Sequence, residues 1–496
     1  MLVHELVSQG QKNAPAIVDH QRRFTYEDFQ TAVNNCRNKL YASGVRRGDR
    51  VGFFSRNSAD YLFAYMGAVS LGAIAVPINF QLSNREIAYI IKDAGIQVLL
   101  TYQPLNLVDA LASLRCDLKV TQYDIKTLSK ADKKIAAAPP LADDFSDTEP
   151  CMILYTSGTT GNPKGAVLSH RNLTANCRQM EENGMGCQAD HHVLCVLPMY
   201  HVFGFTCSVL YPFYKGAEVV ILDSFTPKET ISVIREEKVT DLYIVPSICS
   251  LLTKLATTED MKSLRLVVSG GTTLPLQIQQ DFIKKFGVDI CEGYGLSETS
   301  PVVTMNPPGK AIVGSCGPIV PGIQWKLIDA EGNPVPQGEA GELVVKGDNI
   351  MLGYWNLPDV TQYAMRGGWF HTGDVARCDE NGYIYIVDRI KDMIISMGEN
   401  IYPREVEELI YQFPGIFEAA VVGIEDKLRG QAGACFYSTN DGQDINVREL
   451  KKFLQANLAL YKIPREFHKM DKLPRTSTGK IAKRMILEEF RKNKKK

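Results

Sequence analysis

Apolar and polar positions recur along this chain with two periods, and the switches between them mark its elements. Thr25-Tyr26-Glu27-Asp28 opens a stretch of helical periodicity, with Thr25 placed as the cap and an acidic pair in the first turn. Arg50-Val51-Gly52-Phe53-Phe54 and Gln97-Val98-Leu99-Leu100-Thr101 are short apolar runs of strand length. The most apolar stretch, 62–78, is broken by Gly67, Gly72 and Pro77 and is too short for a membrane span. It reads as a buried helix running into a strand. Runs at 194–197, 219–222, 242–245 and 266–269 predict four more buried strands, separated by helix-length sequence. Strand–helix alternation of this kind predicts an α/β chain with layered sheets.

The texture changes near Gly314 to short strands with Gly/Pro turns, at 325–329 and 341–345, which predicts a β-rich subdomain. A further unit starts near Asp388-Arg389-Ile390-Lys391-Asp392. It contains a helix at 403–413, a strand at 419–423 and a charged C-terminal helix. Residues 130–147, rich in Ala, Pro, Asp and Lys, read as a surface linker. The expected organisation is a large N-terminal domain over 1–389, of layered α/β sheets plus the β-rich subdomain. A small α+β domain over 390–496 follows. A chain of 496 residues exceeds what one core holds, which agrees.

A formal charge of −1 excludes nucleic acid as the main partner, because phosphate-backbone binding needs a basic surface. From Lys391 onward, however, 20 Lys and Arg stand against 15 Asp and Glu. That basic surplus suits an anionic substrate such as a nucleotide or CoA, and equally a solvated basic surface. The 12 cysteines are scattered, with no C-x-x-C pair and no Cys/His cluster at zinc spacing, which predicts buried thiols in a reducing, cytoplasmic setting. The first residues lack the basic and apolar regions of a signal peptide, and no integral membrane segment is expected.

The stretch Tyr155-Thr156-Ser157-Gly158-Thr159-Thr160-Gly161-Asn162-Pro163-Lys164-Gly165 carries the first chemistry. It follows an apolar strand, and its glycines let backbone N–H groups ring a phosphate. Thr156, Ser157, Thr159 and Thr160 supply neutral donors, and Lys164 supplies a cation for terminal phosphates. The spacing is not that of a Walker A loop. The eleven residues in this order resemble the phosphate-binding loop of the acyl-adenylate-forming superfamily, which includes acyl-CoA synthetases, luciferase and nonribosomal adenylation domains. The resemblance covers nearly the whole chain and is greatest to fatty-acyl-CoA ligases. It implies a two-step reaction: a carboxylate attacks the α-phosphate of Mg-ATP to give acyl-AMP and pyrophosphate, and a thiol then displaces AMP.

The remaining motifs follow in order. Cys291-Glu292-Gly293-Tyr294-Gly295-Leu296-Ser297-Glu298-Thr299 resembles the second core motif. Tyr294 offers a flat face for adenine, Gly293 and Gly295 allow close approach, Thr299 donates to the α-phosphate, and Glu298 is the candidate Mg²⁺ ligand. Gly368-Trp369-Phe370-His371-Thr372-Gly373-Asp374 resembles the ribose motif, in which Asp374 accepts from the two hydroxyls. His371 and Trp369 read as packing residues. By the same resemblance Arg389 reaches ribose or phosphate and Lys391 stands at the hinge of a small domain that rotates between half-reactions. Pro474-Arg475-Thr476-Ser477-Thr478-Gly479-Lys480-Ile481 resembles the catalytic-lysine loop, with Lys480 stabilising the charge that builds between two anions.

Leu197-Pro198-Met199-Tyr200-His201-Val202-Phe203-Gly204 resembles the segment lining the acyl pocket, with His201 beside the reacting carboxylate. Val202, Phe203, Gly204, Gly270, Gly271, Thr272 and Ser300 are expected to face the acyl group. An apolar lining without a buried Asp disfavours amino acids. Gly398 and Glu399 fall in the segment beside the pantetheine channel, and Arg429-Gly430-Gln431-Ala432-Gly433 departs from the Gly-Glu of many relatives. The expected activity is ATP-dependent activation of a medium- or long-chain fatty acid and its transfer to CoA. Two alternatives stay open: an aryl or cinnamate-type CoA ligase, and an acyl-AMP ligase serving a separate carrier protein. ATP, Mg²⁺ and CoA are the expected cofactors, and a homodimer is compatible with the resemblance.

Overall fold

The computed structural model describes residues 1–156, 163–397, 399–426, 428–439, 444–475 and 481–494. Contacts divide the chain into two compact units, 1–274 with 278–324 and 346–370, and 275–277 with 325–345 and 371–496.

The larger unit is built on two sheets. One has eight strands in the order Val302–Met305, Ile290–Gly295, Leu266–Ser269, Asp241–Ile244, His192–Cys195, Glu218–Ile221, Pro15–Asp19 and Arg22–Thr25. From Ile290–Gly295 across to Pro15–Asp19 the pairings are parallel. The other has seven strands in the order Gly353–Tyr354, Lys164–Ser169, Pro150–Thr156, Ile74–Pro77, Arg50–Phe54, Val98–Thr101 and Thr121–Asp124. Runs read as buried strands are found within two residues of their expected positions, because parallel strands covered on both faces carry unbroken apolar sequence. The 62–78 stretch is the expected helix and strand, Ala59–Val69 and Ile74–Pro77, and both are buried throughout.

Local sequence fixes where the helices begin. Thr25 caps Tyr26–Ala42 in a reciprocal box with Asp28. Ser169 does the same with Asn172 for His170–Glu182, so the strand that begins at Lys164 runs straight into a helix. The 150–156 and 164–169 strands pair antiparallel as a hairpin, in register from Pro150 against Ser169 to Thr156 against Lys164.

In the smaller unit, Gln324–Ile328, Gly341–Lys346, Phe370–Cys378 and Ile384–Arg389 form a four-stranded sheet, the β-rich region expected after Gly314. A five-stranded sheet follows, built around the long antiparallel pair Ile416–Asp426 and Gly430–Thr439. The helices Pro403–Tyr411 and Val447–Asn457 cover its core through Val406, Ile410, Leu450 and Leu454. All 12 cysteines are free, and all but Cys116 are buried. Among the described residues no helix is long and apolar enough to cross a membrane.

Two histidines, His170 buried and His4 half-buried, make the larger unit sensitive to acid. Burial pulls His4 from 6.5 down to about 4, against the Glu5 carboxylate, and pulls His170 down to about 3 with His4 beside it. His170 Nδ1 accepts the Val3 N–H at 3.0 Å, which needs the neutral ring. The folded chain therefore refuses protons that the unfolded chain binds below 6.5, so stability is complete above that pH and falls as pH drops towards 4. Urea midpoints measured across that window should fall with decreasing pH, and His170→Gln should flatten the slope by up to about one proton. An unchanged slope would remove His170 from the explanation.

Candidate active site

The hairpin 150–169 ends at the signature. Thr156 and Lys164 are opposed across it, with the Thr156 hydroxyl 3.4 Å from the Lys164 carbonyl oxygen. Ser157, Gly158, Thr159, Thr160 and Gly161 lie outside the described residues, as do Gly398 and Lys480. On the outer side of Lys164–Ser169 the two-residue strand Gly353–Tyr354 completes the sheet edge, and the Trp355 N–H donates to the Gly165 carbonyl at 2.7 Å. This edge sets the Tyr354 ring under the Lys164 ammonium, 5.5 Å from ring centre to nitrogen.

The Tyr354 hydroxyl donates to Glu298 Oε1 at 2.8 Å. Burial, reinforced by that carboxylate, raises the phenol well above the ordinary tyrosine value, so it stays protonated and stays a donor. The main chain is tied at the same place, where the Met351 N–H donates to the Glu298 carbonyl at 2.9 Å. Thr156, Lys164, Tyr354 and Glu298 therefore meet where the edge of one sheet reaches a turn that leaves the other. Tyr354 was not a predicted site residue. Its sequence signal is slight, an aromatic pair Tyr354-Trp355 after Gly353, outside every expected strand.

The turn that presents Glu298 is tightly held. Strands Ile290–Gly295 and Val302–Met305 pair antiparallel, with Tyr294 opposite Thr304 and Gly293 opposite Met305. A Cβ on Gly295 would lie 2.0 Å from the Pro301 carbonyl oxygen, so only glycine fits where the chain doubles back. Thr299 is fully buried, and its hydroxyl receives the Leu296 N–H at 3.0 Å and closes onto the Pro301 carbonyl. A contact from Thr299 to a phosphate requires that hydroxyl to turn away from Pro301. Asn349, also fully buried, donates to the Thr299 carbonyl at 2.8 Å, and Asn176 bonds both the N–H and the carbonyl of Val302. Ser300 adopts a left-handed backbone, φ 71°, and its buried hydroxyl has no partner among the described residues.

The acyl segment forms a π-helix, Phe203–Leu210, with His201 and Val202 leading into it. The Phe203 N–H reaches His201 Nδ1 at 3.3 Å, which makes Nδ1 the acceptor and leaves the ring proton on Nε2. Val202 and Phe203 are buried, and Gly204 packs against the Pro198 carbonyl, 2.7 Å from where a Cβ would stand. Gly270, at the end of strand Leu266–Ser269, gives the Phe203 ring its place, since a Cβ there would sit 3.0 Å from Cζ. Gly271 has φ 80°, and Thr272 beside it is exposed.

In the smaller unit Asp374 and Arg389 are cross-strand partners. The Asp374 carboxylate is almost wholly buried and takes Arg389 Nε at 2.9 Å. Thr372 positions it, accepting the Asp374 N–H at 3.1 Å while donating to the Leu343 carbonyl at 2.6 Å. Glu342 receives the Gly373 N–H and pairs with His371 at 2.9 Å. Lys391 is on the exposed turn after Arg389, where the Asp392 N–H returns to the Arg389 carbonyl. Glu399 is exposed and starts the short strand Glu399–Ile401. Gln431 stands at the departure from the common pattern, and its side-chain oxygen accepts the Ile395 N–H at 3.0 Å, pinning the strand that leads into that turn.

Comparisons with known proteins show the family. The family described as AMP-binding enzyme matches residues 5–355, and the AMP-binding enzyme C-terminal domain matches 405–480. A feruloyl-CoA synthase of Amycolatopsis sp is 36% identical over 96% of each chain. A long-chain-fatty-acid–CoA ligase of Bacillus subtilis is 32% identical over 96% of this chain and 92% of its own. The crystal structure of ATP-bound MatB from Rhodopseudomonas palustris superposes with a TM-score of 0.91 at 28% identity, covering 99% of both chains.

The Gly295 contact gives a direct test. Gly295→Ala puts a methyl group against backbone rather than a yielding side chain. The variant should lose ATP binding by at least about tenfold and lose roughly 1–3 kcal/mol of stability, read by calorimetric titration and by urea unfolding.

Proposed function

The chain belongs to the AMP-binding enzyme family and is an AMP-forming acyl-CoA synthetase that uses ATP and CoA, and on that premise we propose that it activates fatty acids of medium or long chain. The observation that supports this reading is the buried Phe203 ring against Gly270, with Val202 buried beside it in sequence, on segments that offer no acidic group to an amino substituent. A second reading, an aryl acid, draws on the 36% identity to a feruloyl-CoA synthase. It also draws on the buried hydroxyls of Ser269 and Ser300, which lack partners among the described residues and would suit polar ring substituents.

The site residues divide the work as follows. The loop from Thr156 to Lys164 holds the phosphates, with the Lys164 ammonium on the outermost. Glu298 would hold Mg²⁺, and the donor set fits a hard cation: an oxygen ligand whose Oε1 is already oriented by Tyr354. The ion supplies neutralisation of phosphate charge when bound. Gly293, Tyr294 and Gly295 receive adenine, and Thr299 the α-phosphate. In the smaller unit the Asp374 carboxylate binds the ribose hydroxyls, with Arg389 holding it in place. His201 orients the substrate carboxylate.

Lys480 brings its ammonium to the α-phosphate as the carboxylate attacks, so that two anions approach with a cation between them. The domain over 390–496 then turns about Lys391 and presents the segment at Gly398 and Glu399 to the thiol arm of CoA. On this reading the chain serves fatty-acid metabolism in the cytoplasm, where its free thiols would stay reduced.

Incubation with ATP, Mg²⁺ and a panel of straight-chain and aryl acids, with and without CoA, tests the substrate. Fatty acids should release pyrophosphate and give acyl-CoA, whereas turnover confined to hydroxylated aryl acids would overturn that choice. Acyl-AMP that CoA never consumes would point to a carrier protein as acceptor. Lys480→Ala should slow adenylate formation by at least about a hundredfold while sparing thioester formation from supplied acyl-AMP. Tyr354→Phe removes one hydrogen bond to a carboxylate, worth about 1.5–3 kcal/mol. It should raise the Mg²⁺ concentration needed for half-maximal pyrophosphate release roughly tenfold, with little change in the KM for the acid. An unchanged Mg²⁺ requirement would separate Tyr354 from the metal.

A further inference from the structure

A second group of potential ligands stands apart from the nucleotide site. Cys187, His191 and Asp241 bring a sulfur, a ring nitrogen and a carboxylate oxygen within 4.8 Å of one another. The cysteine spacing alone shows no zinc pattern, and the three residues come together only across strands. Cys187 and His191 are one half of a site, and the other half arrives from the strand Asp241–Ile244.

The His191 ring shows what the group lacks. Its Nδ1 is 3.2 Å from an Asp241 oxygen, while the Gln188 N–H points at the same nitrogen, also at 3.2 Å. Nδ1 accepts the Gln188 N–H, and a cation seated between Nδ1 and the Asp241 carboxylate would take the place of that long hydrogen bond. The Cys187 sulfur adds a soft donor to the nitrogen and the carboxylate oxygen, the mixed set that a zinc-class ion takes. In a tetrahedral zinc site with bonds of about 2.0–2.3 Å, donors stand roughly 3.3–3.7 Å apart. The His–Asp separation is already close to that range, and Cys187 needs a shift of about 1 Å at most.

The surroundings support ligation. Asp241 is buried, and Arg265 holds its Oδ1 while the Thr240 hydroxyl donates to Oδ2 at 3.0 Å. Outer contacts of this sort orient a ligating carboxylate. Burial pushes the Cys187 thiol up to about 12, so it is a neutral thiol until a cation displaces its proton. A thiolate, a carboxylate and neutral His191 match the charge of a divalent ion at the ligand atoms, and Arg265, bonded to the other Asp241 oxygen, leaves the whole cluster with one positive charge.

We propose that Cys187, His191 and Asp241 bind one zinc-class divalent cation, with the fourth position open to water. On binding, the sulfur–metal bond forms as the thiol proton leaves to solvent, without change of oxidation state. Asp241 begins its strand and His191 directly precedes the strand His192–Cys195. In the same parallel set, Gly270 and Gly295 lie at the opposite, C-terminal strand ends. The ion therefore fastens the 184–191 segment to the back of the sheet and takes no part in the chemistry, which belongs at the C-terminal ends.

The full chain, stripped with a chelator, is titrated with Co²⁺ as a spectroscopic probe and then with Zn²⁺. One equivalent of Co²⁺ should bind with a thiolate-to-cobalt absorption that Zn²⁺ abolishes, and Zn²⁺ should raise the Tm. Cys187→Ser should lose the absorption and His191→Ala should weaken Co²⁺ binding at least about tenfold. Both variants should keep the parent's pyrophosphate release, which also shows that they fold. Absence of the absorption in the parent, or its persistence in Cys187→Ser, would overturn the site and leave a His191–Asp241–Arg265 ion-pair cluster. So would a Zn²⁺ shift in Tm that Cys187→Ser retains.

Discussion

The hydrogen bond from Tyr354 to Glu298 is the contact on which the larger unit's site depends. Its donor belongs to the edge of the seven-stranded sheet and its acceptor to a turn leaving the eight-stranded sheet. Two sheets that share no strand are thus registered at one carboxylate. The phenol cannot lose its proton under working conditions, because burial and the carboxylate both oppose it. Around this contact the backbone is tied at Glu298, Thr299 and Val302 by Met351, Asn349 and Asn176. A carboxylate held on one oxygen and framed by rigid main chain is suited to a fixed charge geometry, and phosphate chemistry depends on that more than on bond making.

The smaller unit solves a related problem with strand register. Asp374 and Arg389 face each other because Phe370–Cys378 and Ile384–Arg389 pair antiparallel, and the irregularity between Val375 and Ala376 leaves that pairing at the strand end. A nearly buried carboxylate would be costly without its guanidinium partner and the Thr372 hydroxyl. Glu342 orders the approach to it through Gly373 and His371, so the histidine read as packing is held by a hydrogen bond to a carboxylate.

How far the sequence was legible follows from which forces act locally. The parallel strands and their helices could be read because burial on both faces leaves unbroken apolar runs and because caps such as Thr25 are specified within four residues. Motifs could be read because glycine at 295 and a carboxylate at 298 answer to needs met within one turn. Tyr354 and Asn349 could not, since their work is done on residues roughly fifty positions away in sequence. The π-helix at Phe203 was likewise invisible, as nothing in its composition separates it from an ordinary buried helix. The grouping of Cys187 with Asp241 depends on which strand of a sheet lies next to which, a property of topology that no linear spacing reports.

The departure at Gln431 is an instance of the same principle. Read as sequence, a neutral residue at this position leaves its purpose open. In the structure its side-chain oxygen takes the Ile395 N–H, while Ser396 opposes Gly430 across the same pair of strands. The strand Ile394–Ser396 thus gains one side-chain bond beyond its short ladder with Glu399–Ile401. A glutamate could accept the same bond, but it would bring a negative charge to a segment expected to meet a phosphate-bearing thiol. Glutamine accepts the N–H without adding a charge, so the clamp is held by a neutral side chain.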